Sequence, residues 1–237
     1  MKRGDWIKIN FTGRIKATGE IFDLTGKEEA KKEDVFDEKK KYGPVLVIMG
    51  GGFIIPGVEK QLLEMKTGEK KKFDVSPAEA LGPRKRELLR VVSVSKFIQK
   101  NINPYPGMWI NIDGRNCKVL SVSGGRVRVD MNHPLAGKIL SYEVEVTEEI
   151  KGTGKRVESL LDYYDLRGKI SITGKKVGIE TESEVNPMVS RLVGETLKKW
   201  AGGIDDVEFS TRKKPAGKKD VKNSPKKGAE KSPRAKA

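Results

Sequence analysis

At 237 residues the chain is long enough for one or two cores plus accessory segments, at roughly 100–200 residues per domain. One cysteine, Cys117, excludes an intrachain disulfide, and with a single histidine, His133, neither a multi-His metal centre, an H-E-x-x-H protease nor a Cys/His zinc site can be assembled. The formal net charge of +15 suggests a nucleic-acid partner until it is located: Arg212 to Ala237 carry eleven Lys and Arg against Asp220 and Glu230, so the rest of the chain is only mildly basic.

The chain opens on "WIKINFTGRI", where Ile7, Ile9 and Phe11 alternate with Lys8, Asn10 and Thr12, the period-two pattern of a half-buried strand. A "TGE" turn leads to Ile21-Phe22-Asp23. The charge-dense stretch "LTGKEEAKKEDVFDEKKKYG" reads as an exposed loop with Val35 and Phe36 tucked inward. "PVLVIMG" resumes strand character. "PGVEKQLLEMKTGEK" predicts a helix with Val58, Leu62, Leu63 and Met65 on one face, stopped by Gly68 and followed by the strand "KKKFDVSP". From residue 84 to 129 short strands are parted by "NPYPG", "DG" and "SGG" turns, a small β-rich module. Tyr142, Val144 and Val146 then alternate with Glu143, Glu145 and Thr147 in a strand assigned to the first sheet. Beyond the linker candidate "KGTGK" (residues 151–155), residues 152–211 read as α, β, β, α, β, with Asn186 as N-cap, Pro187 at the first helical position and Gly202-Gly203 past the helix end.

The stretch "MGGGFIIPGVEKQ" has to be tested as a phosphate cradle. Gly52 and Gly57 have the P-loop spacing, but Val58 and Glu59 stand where Lys and Ser/Thr are required, and Ile55 falls where a dinucleotide fingerprint needs its third glycine. What remains is an apolar floor, Phe53-Ile54-Ile55, running through Pro56-Gly57 into a helix.

Taken in order, "GDWIKINFTGRIKATGEIFDLT", "GGGFIIPGVEKQLLEMKTGEKKKFDVSPAEALG" and "NHPLAGKILSYEVEV" resemble the three parts of FKBP-type peptidyl-prolyl cis-trans isomerases. The insert before the third part resembles SlyD-like proteins, and the added C-terminal domain resembles long-type archaeal FKBPs. The implied fold class is α+β: an antiparallel FKBP-type sheet wrapped on a short helix (residues 1–83 plus 130–150), an inserted β-rich chaperone domain (84–129), a C-terminal α+β domain (152–211) and a disordered basic tail (212–237). The implied activity is non-covalent prolyl isomerisation without cofactor or metal. Carried over, the pocket wall is Phe11, Phe22, Asp23, Val45 and Val47, with Met49 at its edge. The floor is Ile54, Ile55 and Val58, and the far side is Leu135 and Tyr142. Ile55 would present its backbone N–H to the substrate carbonyl, and His133 would orient the entering segment. Two departures stand out: Val58 replaces a frequent aromatic, and Leu81 replaces a common Tyr whose hydroxyl would bond the substrate.

Taken singly, Phe11, Val47 and Ile54 read as ordinary core residues and Asp23 as a turn residue; only the family order turns them toward a pocket. Leu88, Leu89, Val91, Val92, Phe97, Ile98, Tyr105, Met108 and Trp109 are more than a small module can bury, so about half should stay exposed to hold unfolded chains. The partners expected are unfolded or nascent polypeptides containing proline, a non-specific polyanion or ribosome contact through the tail, and a second copy through the C-terminal domain. No membrane span or secretory signal is visible, and a cytoplasmic location is expected. The competing readings are a holdase or ribosome-associated chaperone with a weakened site at Leu81, and a nucleic-acid binder working through its tail.

Overall fold

Apolar patterning at the N-terminus sets the frame. The computed structural model describes residues 1–112 and 114–212, so the tail expected over 212–237 lies, apart from Arg212, outside the described residues. The chain runs through β1 (Trp6–Ile15), β2 (Ile21–Leu24), α1 (Lys27–Lys32), β3 (Val45–Ile48), α2 (Pro56–Glu64) and β4 (Lys70–Val75). It then enters β5 (Leu89–Ser93), α3 (Ser95–Ile98), β6 (Trp109–Ile112), β7 (Arg115–Ser123) and β8 (Arg126–Asp130), and returns in β9 (Leu140–Glu149). The remainder is α4 (Thr153–Tyr163), β10 (Gly168–Thr173), β11 (Lys176–Thr181), α5 (Pro187–Trp200) and β12 (Asp206–Thr211). The fold is α+β, as the sequence implied.

The first sheet is antiparallel in the order β2-β1-β9-β4, with β3 also paired to β1. One of its faces packs on α2, where Ile7, Ile9, Val47, Met49, Leu140, Val144 and Val146 enclose Val58, Leu62 and Met65. Leu63, expected on that face, is 44 % exposed. Met65 is buried, but it is the C-cap rather than part of the helix.

Alternation then decides what happens on the other face. Val47 of β3 and Met49 just beyond its end enter the core under α2, while Leu46 and Ile48 face the opposite side. There they join Trp6 and Ile150 in a second core with Val157, Leu160 and Leu161 of α4, Val193 and Leu197 of α5, and Val177 and Ile179 of β11. The linker expected at 151–155 is correspondingly short, because α4 begins at Thr153 and Gly152 turns the chain at φ 85°. The C-terminal segment forms the sheet β10-β11-β12, antiparallel then parallel, with α5 as the crossover. The Asn186 side chain accepts from Met188 N–H at the start of α5, the cap its sequence promised.

The charge-rich segment after β2 is a correction. Residues 27–32 form α1, which buries Ala30, whereas Val35 (45 %) and Phe36 (37 %) are exposed. Phe36 stacks on Tyr42 at 5.4 Å, and Lys27 and Lys31 lie over its ring. Local cation–π and ring contacts thus replace the inward burial expected from hydropathy.

Residues 89–130 make an antiparallel sheet, β5-β8-β7-β6, with its own small core of Phe97, Ile110, Cys117, Val119, Val127 and Val129. Asn132 clamps its two crossings: its side chain accepts from Lys85 N–H and donates to Lys85 O and to Asp130. Arg84 also pairs with Asp130. Burial pushes the Asp130 carboxyl up, but the hydrogen bonds from Asn132 and Arg84 outweigh it and leave it below its usual range.

Trp6 is fully buried between the two modules, its Nε1–H donates to Trp200 O at 2.9 Å, and the Arg156 guanidinium lies 5.9 Å from its ring centroid. Trp6→Ala is expected to lower the unfolding free energy by about 3–5 kcal/mol. Chemical denaturation monitored by circular dichroism reads that loss.

Candidate active site

The site grows out of a register. Pairing of β1 with β9 sets Gly13 opposite Tyr142, and pairing of β4 with β9 sets Phe73 on its other side. A Cβ at Gly13 would stand 2.4 Å from Phe22 Cζ, so the missing side chain is what lets the Phe22 ring lie over the strand. Tyr142 is thereby boxed by Phe11 at 5.9 Å, Phe22 edge-on at 5.7 Å and Phe73 stacked at 6.4 Å.

In front of this box lies a cavity of ≈ 460 Å³ lined by Phe11, Asp23, Val45, Leu46, Val47, Gly52, Phe53, Ile54, Ile55, Tyr142 and Tyr163. The structure therefore brings Phe11, Asp23, Val45, Val47, Ile54, Ile55 and Tyr142 together. Phe22 supports Tyr142 from behind and faces a second cleft of ≈ 650 Å³, where Leu135 is also found beside Trp109, Lys118 and Leu120 of the inserted module. Leu135 was expected on the far side of the first pocket; the turn that holds it, Leu135 N–H donating to His133 Nδ1, directs it to the second. Val58 is fully buried beneath the floor rather than lining it, because α2 turns it into the sheet core. Leu81 is 40 % exposed after a 3₁₀ turn (Pro77–Glu79) and does not line the pocket.

The glycine stretch answers to backbone geometry. Gly50 and Gly52 take φ of 83° and 74°, and Gly50 N–H donates to the Glu59 carboxylate from the first turn of α2. Glu59, which a phosphate would meet as a repulsive charge, ties the loop down instead. Ile55 is the N-cap of α2 in extended conformation, and its carbonyl accepts from Val58 and Glu59 N–H at 3.1 Å.

The polar groups are few. Asp23 Oδ1 accepts from Leu24 N–H at 2.9 Å and pairs with Lys40 Nζ at 2.5 Å. Burial, with the Asp23 charge adding to it, pushes the Tyr142 phenol up to about 12. The pocket thus offers a neutral phenol, a compensated carboxylate and apolar walls. It contains no Ser, Cys or His nucleophile, and no group of three or more His, Cys, Asp or Glu that could hold a metal ion occurs among the described residues.

The sequence reading missed Leu46, Gly52 and Tyr163, and placed Phe53 on the floor without assigning it a part in the site. Leu46 had a signal: "VLVI" is apolar at every position, the pattern of a strand covered on both faces. Tyr163 had none, since its approach to the pocket depends on how α4 docks.

A raised phenol pKa has a stability consequence. Between about pH 10, where an unfolded tyrosine ionises, and about 12, the unfolded chain has lost a proton that the folded chain keeps, so stability falls as pH rises through that window. A 295 nm titration should show Tyr142 ionising last, behind a Tyr164 that burial also raises, and Tyr142→Phe should remove that last step.

Residues 1–97 match the family model of the FKBP-type peptidyl-prolyl cis-trans isomerases, and residues 90–135 match that of the FKBP26 IF domain. The chain is 29 % identical over 148 residues to a short-type peptidyl-prolyl cis-trans isomerase of Methanocaldococcus jannaschii, covering 62 % of this chain and 93 % of that protein. It is 32 % identical over 132 residues to the FKBP-type isomerase SlyD of Treponema pallidum, 54 % of this chain and 74 % of SlyD. An FKBP-type 16 kDa isomerase of Escherichia coli is 30 % identical over 110 residues, 44 % of this chain and 73 % of the relative.

Proposed function

The chain belongs to the FKBP-type peptidyl-prolyl cis-trans isomerases, and from that premise we propose that the cavity in front of Tyr142 is where the prolyl bond turns, while the inserted module holds the unfolded chain that carries it. The observation behind the first half is the cavity's composition: aliphatic and aromatic walls, the Tyr142 phenol that burial keeps neutral, and the N–H of Ile55, which as an N-cap is not needed by the helix ladder.

The chemistry needs no more. The barrier to rotation is ~18–20 kcal/mol because the amide is conjugated, and uncatalysed exchange takes on the order of tens to hundreds of seconds. No covalent bond breaks. The twisted transition state loses conjugation and with it carbonyl polarity, so apolar walls disfavour the planar, polar ground state relative to it. Ile55 N–H and the Tyr142 hydroxyl fix the flanking carbonyls while the ring of proline rests on Phe11, Val47 and Ile54. Asp23, paired with Lys40, shapes the mouth.

Support for the second half comes from the inserted module. Phe97 is buried, but Val91, Ile98 and Tyr105 are each 61 % exposed and Trp109 is 50 % exposed. Trp109 and Leu120 face Phe22 and Leu135 across the second cleft, so a chain held by the insert lies beside the pocket. Clients are unfolded or nascent chains containing proline. Holding them raises the effective concentration of each proline at the pocket.

Two measurements test this. Asp23→Ala and Tyr142→Phe, the latter keeping the ring packing, should each lower kcat/KM for a prolyl tetrapeptide roughly ten-fold, about 1.4 kcal/mol of transition-state stabilisation. Unchanged turnover would place the chemistry elsewhere. Replacing residues 86–129 by a short Gly-rich loop keeps the Lys85–Asn132 clamp. Turnover of the tetrapeptide should persist, while catalysed refolding of a proline-limited protein should fall to the level of the tetrapeptide advantage alone. Equal slowing of both substrates would mean that the insert shapes the pocket. A chain that binds unfolded protein but accelerates neither substrate is a holdase.

A further inference from the structure

One wall of the pocket comes from the C-terminal module. Tyr163 ends α4, and its ring lies 5.1 Å from that of Phe53 at an interplanar angle of 60°. Tyr164 braces it edge-on at 5.1 Å. Phe53 is itself fixed, since it packs against both the core under α2 and the core shared with α4 and α5. The end of α4 is tied to the segment between α1 and β3: Lys41 Nζ lies 2.6 Å from Asp162 Oδ1, 3.3 Å from Asp162 O and 3.8 Å from Asp165 Oδ1. A cation at a helix C-terminus is favourably placed against the free carbonyls there.

Tyr163 nevertheless remains 45 % exposed. A ring that served only to seal the shared core would be covered as Leu160 and Leu161 are, at 0 % and 3 %. Instead two tilted aromatic rings, one rigid and one open to solvent, stand at the mouth of an apolar cavity. Rings offset in this way leave a free face and a free edge for a third aromatic or a large aliphatic side chain.

We infer that Tyr163 and Phe53 form a shelf for the side chain of a residue flanking the substrate proline, so that the C-terminal module sets sequence preference in the isomerase site. The inference rests on the cavity being the prolyl site. Its ligand class is a peptide with an aromatic or large aliphatic residue beside proline; a glycine there has nothing to lay on the shelf.

The test compares kcat/KM for four prolyl tetrapeptides with Phe or Gly before the proline and Phe or Gly after it, using the full chain. The wild type should prefer Phe at one of the two flanks, and Tyr163→Ala should cut that preference by about five-fold, the size of one aromatic pair. Tyr163→Phe should retain it. Tyr163→Lys is a second variant for the case that Tyr163→Ala does not fold: its aliphatic stem can still cover Phe53, and its ammonium should raise kcat/KM for a Glu-flanked peptide relative to the Phe-flanked one. If Tyr163→Ala lowers all four peptides alike or none, or if Tyr163→Lys leaves the Glu-to-Phe ratio unchanged, Tyr163 is a packing residue and the inference is wrong. Failure of the pocket reading looks different, because Asp23→Ala and Tyr142→Phe would then leave every peptide unaffected.

Discussion

Burial of β3 on both faces is the constraint from which the rest of the molecule follows. A strand that is apolar at every position cannot turn one side to water without exposing Leu46 and Ile48, and each such side chain is worth roughly 1.5–3 kcal/mol when fully buried. Val47 and Met49 are satisfied by α2, but the opposite side needs a second layer, which α4, α5 and β11 supply. The C-terminal segment is thus the third layer of the isomerase sheet rather than an appendage. Its docking angle, with Arg156 over Trp6 and Lys41 at the end of α4, carries an aromatic side chain to the rim of the pocket.

The pocket itself carries little polar chemistry. Its shape depends on one absent side chain, at Gly13, which admits Phe22 against Tyr142; its electrostatics depend on a phenol kept protonated by burial and on a carboxylate matched by Lys40. The glycine stretch that looks at first like a phosphate loop leads through bends at Phe53 and Ile54 to an extended Ile55 ahead of α2, and Glu59 secures it. Each of these groups acts by position. None has to exchange a proton with the substrate.

The inserted module obeys a different economy. It has a compact core of six buried side chains and is joined to the isomerase sheet at one polar clamp, Asn132 with Lys85 and Asp130, reinforced by Arg84. A buried, fully bonded amide at the crossing fixes the direction in which the module projects while leaving its far surface unconstrained. The module exposes Val91, Ile98 and Tyr105, and its Trp109 shares a cleft with Phe22, so apolar exposure extends beyond the pocket in front of Tyr142.

Period-two alternation in 6–15 and 140–149, glycine and proline punctuation, and the capping residues around Asn186 were legible in the sequence, because strand faces and helix ends are set by neighbours a few positions apart. So was the α+β class, and so was the family, whose split order survives even though a continuous match ends at residue 97, before β9 closes the sheet. Local pattern misjudged Val35 and Phe36, which find partners in Tyr42 and nearby lysines; it did set Val58 on the apolar face of α2, whereas the resemblance carried Val58, Leu135 and Leu81 to a pocket that the structure builds without them. Only the tertiary structure decided what covers the second face of β3 and that Tyr163 stands beside Phe53. Those contacts join residues more than a hundred positions apart, and they depend on the packing of whole layers, about which hydropathy along the chain says only that a face must be covered, not by what.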